Sequence, residues 1–217
     1  MRATRSTGWL LLTVLLAAGP AAAGPNPDAR IVLHLIGSAP DNECETPQAA
    51  GYDDCATETV TRALAETPID VYVYLERYSS TSGVQMQFAW DPSWTFLGWT
   101  SNCLPGQLDG EVPETSGDNY STQFLPCASG GALAPLGWLR FIAGAPGTFL
   151  TVGEHDSEPG TVIADCEGRE HDPIPVARRG SVGVEVAGRN PCSLSPVEAA
   201  TWGAVKRRFA SPERAAP

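Results

Sequence analysis

Asp70-Val71-Tyr72-Val73-Tyr74-Leu75-Glu76-Arg77, a polar break over residues 79–83, and then Val84-Gln85-Met86-Gln87-Phe88-Ala89-Trp90 carry the pattern that decides the fold. In the first run Val71, Val73 and Leu75 alternate with Tyr72, Tyr74 and Glu76. In the second, Val84, Met86, Phe88 and Trp90 alternate with Gln85, Gln87 and Ala89. Successive side chains of an extended strand point to opposite faces, so an apolar set of period two marks a sheet with one buried face. The β-branched and aromatic content favours strands over helices. Val71, Val73, Leu75, Val84, Met86, Phe88 and Trp90 are therefore expected to line a common core.

Outward from this pair the same reading repeats. Residues 31–35 make a first strand, residues 57–64 a further one, and Asp91-Pro92-Ser93 turns the chain into a strand over 94–99. Residues 100–131, rich in Gly, Pro, Ser and Asp, read as a long rim segment crossed by one short strand near 120–125. Strands resume at 136–143, 147–153, 160–165 and 181–187, separated by Ala145-Pro146-Gly147 and Glu158-Pro159-Gly160. With 22 Gly and 19 Pro punctuating 217 residues, about nine or ten short strands predict an all-β, two-sheet β-sandwich with jelly-roll or Greek-key connections.

The ends differ from the body. Arg2 and Arg5 precede the apolar run 9–18, which suits a signal-peptide core and is too short to span a bilayer. Ala21-Ala22-Ala23 supplies small residues for cleavage, so residues 1–23 are expected to be a signal peptide and 24–194 the sandwich domain. Residues 195–217 should form a short C-terminal helical tail, with Ser195 as cap, Pro196 at the first helical position and Glu198 completing a capping box. Val197, Thr201, Ala204, Val205 and Phe209 share one face, and Lys206, Arg207 and Arg208 favour the helix end. The expected location is secreted or cell-surface. The formal charge of −11 opposes phosphate backbones and anionic lipid, so nucleic acid is excluded as a partner and no membrane span is expected.

Six cysteines, Cys44, Cys55, Cys103, Cys127, Cys166 and Cys192, follow the expected leader. An even count in an exported chain predicts three disulfides, and the lack of any C-x-x-C pair argues against a zinc ribbon or a thioredoxin-like site. Fifteen connectivities are open; pairing of sequence neighbours, Cys44 with Cys55, Cys103 with Cys127 and Cys166 with Cys192, is the simplest.

The segment 70–99 resembles the cohesin-like family of β-sandwiches and related carbohydrate-binding modules. Val71 and Val73 match its alternating strand, Gly83 to Phe88 and Trp90 its Gly-led strand ending in an aromatic, and Asp91-Pro92 its turn. This resemblance implies a sandwich and a non-catalytic binding role. Gly98, Trp99 and Cys103, with Thr201, Trp202, Gly203, Val205 and Lys206, are similar to segments of exported bacterial proteins that bring no function with them.

Candidate chemistry is sparse. Cys127-Ala128-Ser129-Gly130-Gly131 resembles the Gly-Asp-Ser-Gly-Gly nucleophile segment of chymotrypsin-like proteases, but Ala128 takes the acid's place and no Ala-Ala-His-Cys segment precedes it. A Gly-rich turn beside a disulfide accounts for it. His155 with Asp156 and His171 with Asp172 are candidate ligands for one divalent metal if their loops converge. Asp41, Glu43, Asp53 and Asp54 offer oxygens for Ca2+ on an irregular loop; no other cofactor is implied. Trp90, Trp94, Phe96, Trp99 and Trp138 read as core, whereas Tyr72 and Tyr74, opposite the apolar face, are expected to be exposed rings that bind a ligand by stacking. The reading that follows is an exported, non-catalytic binding, adhesive or structural module whose partner is a glycan or another extracellular protein. The alternative is a secreted hydrolase with its active site assembled from rim loops.

Overall fold

The computed structural model describes residues 24–36, 55–101, 103–130, 133–167 and 171–193. The expected signal peptide, the acidic loop with Asp41, Glu43, Asp53 and Asp54, and the expected C-terminal helix lie outside the described residues. Those described form β1 (Arg30–Ile36), a helical turn α1 (Cys55–Glu58), β2 (Arg62–Ala63), β3 (Pro68–Glu76), β4 (Ser80–Trp90) and β5 (Thr95–Thr100). Next come β6 (Gln107–Glu111), β7 (Asp118–Ser129), β8 (Leu133–Ile142), β9 (Phe149–Gly153), β10 (Val162–Ala164), β11 (His171–Pro173) and β12 (Ser181–Val184).

The strands build two sheets, as the alternation requires. Sheet A has the order β1-β3-β8-β5. Sheet B is centred on β4, which pairs with β7 along one side and, along the other, with β10 over Gly83–Gln85 and β9 over Gln87–Trp90. From β9 the sheet continues to β12 and β2, from β10 to β11, and from β7 to β6. The chain changes sheet at every step from β1 to β6, and again between β7 and β8 and between β8 and β9. Strands distant in sequence are thus laminated around one core.

That core holds the residues the pattern selects. Val71, Val73 and Leu75 from β3 meet Val84, Met86, Phe88 and Trp90 from β4, all buried in one cluster with Leu139 and Phe141 of β8. Phe141 is its hub: Trp90 meets it edge-on at 5.1 Å and Trp94 at 5.4 Å, the geometry that ring quadrupoles favour. One lateral side of the sandwich is joined by hydrogen bonds. Gly180 N–H donates to the Ile31 carbonyl of β1 at 2.8 Å, while Val152 N–H of β9 donates to the Gly180 carbonyl at 3.3 Å.

Several local expectations are corrected. Residues 57–64 do not form a strand: Thr59 Oγ1 donates to the Cys55 carbonyl, closing a helical turn, and only Arg62 and Ala63 pair, in parallel with β12. The turn placed at 79–83 is shorter, because β4 already begins at Ser80. The supposed rim segment 100–131 contains a long hairpin, β6 with β7. It lacks an apolar run because its inward position on β6 is Gln107, whose amide is buried yet donates to the Leu136 carbonyl at 2.7 Å and to Tyr120 Oη at 3.2 Å. A polar side chain so satisfied costs little to bury.

The disulfide pairing is also corrected. Cys55 joins Cys192 and Cys127 joins Cys166; Cys103 is bonded as well. None of the described cysteines is free. The bridges connect segments that the sheets bring together across 137 and 39 residues, which sequence proximity does not reveal.

Candidate functional site

Tyr72 and Tyr74 are not the exposed rings expected of them. Both are 0 % accessible, on the outer face of sheet A, where Tyr72 stacks on Trp138 with ring centroids 5.6 Å apart and lies 6.1 Å from Tyr74. Val32, Cys55 and Trp138 pack with them, flanked by Cys103, Leu133 and Cys192. This is a second, smaller core. The segment bridged by Cys55 and Cys192 lies over the face, so no ligand reaches either ring as the molecule stands.

The paired His-Asp motifs do not converge on a metal. His155 is buried, its side chain 4 % exposed. Its Nδ1 accepts the Ser157 backbone N–H at 3.1 Å and lies 2.8 Å from Ser157 Oγ. An N–H can only donate, so Nδ1 is the acceptor and Nε2 carries the proton toward Glu111 Oε2, 3.0 Å away. His171 is exposed on the outer face of β11, whereas Asp172 is buried and accepts the Asn26 N–H at 2.7 Å. Among the described residues, the grouping of ligand atoms close enough to hold an ion is Cys55, Glu76 and Cys192, and its two sulfurs form a disulfide. Ser129 ends β7 opposite Ser80, with no histidine hydrogen-bonded to it among the described residues.

A concave site exists elsewhere, on the outer face of sheet B. Its origin is a register skip between β4 and β7. Thr81 pairs with Ala128 and Gly83 with Gln123, so Phe124, Leu125, Pro126 and Cys127 stand opposite Ser82 alone. The surplus length arches outward as a bulge does. Two glycines permit it. A Cβ on Gly83 would lie 2.6 Å from the Thr122 carbonyl oxygen; Gly106, at φ +74°, sits beneath the arch and accepts the Leu125 N–H at 2.9 Å.

The result is a groove of about 370 Å³. Gly83, Gln85, Val162 and Ala164 form its floor, Ser121, Gln123 and Leu125 one wall, and His171 the other. The Cys127–Cys166 bridge ties the arch to the segment after β10, fixing one wall against the floor. Gln85 Nε2 donates to the Gly160 carbonyl at 2.7 Å, and Ser121 Oγ accepts the Glu111 N–H at 3.1 Å. Both are held in place. The lining presents amides, hydroxyls and one imidazole, with no carboxylate, Lys or Arg. Only the polar alternation Gln85, Gln87 and Ser121, Gln123 announced this face in the sequence, and it reads there as ordinary solvated surface.

No family model and no curated protein matches the chain. Solved structures similar to it include a non-cellulosomal cohesin from Archaeoglobus fulgidus, with 12 % identity over 71 % of this chain and 91 % of that one, at a TM-score of 0.46. A type II cohesin domain from the cellulosome of Acetivibrio cellulolyticus shows 15 % identity over 72 % and 95 %, at 0.44. The cohesin module of a Clostridium perfringens family 33 glycoside hydrolase shows 9 % over 72 % and 97 %, at 0.42. Similarity at this level assigns no role to any residue.

Proposed function

We propose that this chain is an exported, non-catalytic binding module whose outer sheet-B groove takes a short neutral glycan. The observation that carries the reading is the groove's chemistry. On a chain of net charge −11, it is a pocket of small-ligand size whose lining carries no fixed charge, with side chains that both donate and accept hydrogen bonds. Sugar hydroxyls match such a lining, and Leu125 offers an apolar edge. A protein partner would need roughly 800 Å² of contact per side, far more than the groove offers.

The test is a screen of neutral and acidic oligosaccharides on the oxidised protein, followed by calorimetry. Neutral glycans should bind and acidic ones should not. Gln123→Ala, on an exposed wall position, should weaken binding about tenfold, the worth of one hydrogen bond of about 1.4 kcal/mol, without shifting the melting temperature. Affinity unchanged by Gln123→Ala would remove the groove from the proposal.

The hydrolase reading rests on the sequence of hydrogen bonds from Ser157 Oγ through His155 to Glu111, the order of nucleophile, base and acid. Against it, Nδ1 already accepts the Ser157 backbone N–H, which makes the array a lock on the loop after β9. Labelling of Ser157 by a fluorophosphonate, read by mass spectrometry, would favour the enzyme; an unmodified protein favours the module.

A further inference from the structure

The first described residues are built into the fold. Asn26 is 2 % exposed; its Oδ1 accepts the N–H groups of Ser79 and Ser80 at 2.8 and 3.3 Å, and its Nδ2 donates to the Ser80 carbonyl at 2.9 Å. This pins the chain to the turn between β3 and β4. Its own N–H meets Asp172 Oδ2 at 2.7 Å. Two residues earlier, Gly24 lies so close to the same carboxylate that a Cβ there would stand 2.5 and 2.6 Å from its two oxygens. Only glycine fits.

Asp172 is 5 % exposed, and among the described residues no cation pairs with it. Two arginines that follow β11 have other partners: Arg178 pairs with Asp28 at 3.1 Å and Arg179 with Glu154. A carboxylate held this far from water, with a backbone amide on one oxygen, thus has among the described residues no countercharge of the kind that usually offsets its desolvation. The residue pressed against it follows Ala21-Ala22-Ala23, where cleavage of the leader is expected.

We infer that the countercharge of Asp172 is the α-ammonium of Gly24, made by cleavage between Ala23 and Gly24, and that this pair couples processing to the stability of the domain. A signal peptidase and one water break the Ala23–Gly24 amide. The hydroxyl goes to the Ala23 carboxylate, and the freed amine, with an ordinary pKa of about 8, takes up a proton at neutral pH. A single cut thus converts an uncharged amide beside a buried carboxylate into its ion-pair partner.

The test compares the chain produced with Gly24 first, the same chain acetylated on its α-amino group, and Asp172→Asn in both backgrounds, by urea unfolding. Acetylation leaves every side chain intact, and Asp172→Asn keeps an oxygen for the Asn26 amide, so all four proteins should fold. Each single change should lower the folding equilibrium constant about 5- to 30-fold, the factor that one to two kcal/mol brings. The double change should cost no more than the larger single one. Strictly additive losses, or no loss on acetylation, would overturn the inference. So would an exported protein whose amino-terminal residue, read by sequencing, is not Gly24.

Discussion

The outer faces of the two sheets solve the same problem in opposite ways. On sheet A the strand that alternates Val with Tyr is buried on both sides; Tyr72, Tyr74 and Trp138 form an aromatic layer, with the Cys55–Cys192 bridge packed among them. On sheet B the strand that alternates Met and Phe with Gln keeps its second face in solvent, and the register skip against β7 hollows that face into a groove. Tyrosine carries a large apolar ring and a single polar atom, so covering it with another segment is favourable. Glutamine has little apolar surface to gain. The character of the second set of alternating residues, more than the alternation itself, separates a covered face from an open one.

The largest expected effect comes from uncovering sheet A. Cys55→Ser with Cys192→Ser removes a cross-link spanning 137 residues, worth up to about 5 kcal/mol in the chain-entropy model. Urea midpoints should fall accordingly, and near-ultraviolet circular dichroism should lose the signal of the Tyr72–Trp138 stack. An unchanged spectrum would mean the bridge does not maintain the aromatic layer. Next, Tyr72→Ala should cost roughly 3 to 5 kcal/mol, as much as Phe88→Ala in the central core. Gln87→Ala, on the open face of sheet B, should stay within about 0.5 kcal/mol. Similar losses for Tyr72→Ala and Gln87→Ala would erase the distinction between the faces.

The smallest effect lies on sheet B's rim. The Glu154 carboxyl is held below the usual glutamate range, chiefly by its hydrogen bond from Arg179 and also by the Thr161 N–H. A depressed folded-state pKa adds stability that is complete above the unfolded value and disappears as pH falls through the folded one. Glu154→Gln should therefore flatten the acid side of the stability profile slightly, because the side chain is largely exposed and solvent screens the pair. A profile identical to the parent's would mean the Arg179 contact adds nothing in solution.

Period-two alternation in β3 and β4 was legible because Val, Met and Phe leave little choice of face, and the core formed as that pattern required. What stayed illegible involved residues that the fold uses against type. Gln107 occupies a core-facing position because the Leu136 carbonyl and Tyr120 satisfy its amide, so no hydrophobicity marks β6. Tyr72 and Tyr74 alternate with valines as exposed residues would, and a segment distant in sequence covers them. The disulfides join such distant segments, which the choice of sequence neighbours necessarily missed. The groove depends on four residues of β7 standing opposite one of β4, a mismatch that belongs to the pairing and to neither strand alone.

The separation of the two described bridges also orders events in time. A chain is made from its amino end, so Cys127 and Cys166 are both available while β11, β12 and the Cys192 segment are still to come. Cys55 must wait for a partner 137 residues later. The groove can acquire its tether early, but the aromatic layer of sheet A cannot be sealed until almost the whole domain exists. A chain truncated before Cys192 is left with an unpaired Cys55 thiol beside Tyr72 and Tyr74, a mark by which unfinished molecules are chemically distinguishable from complete ones.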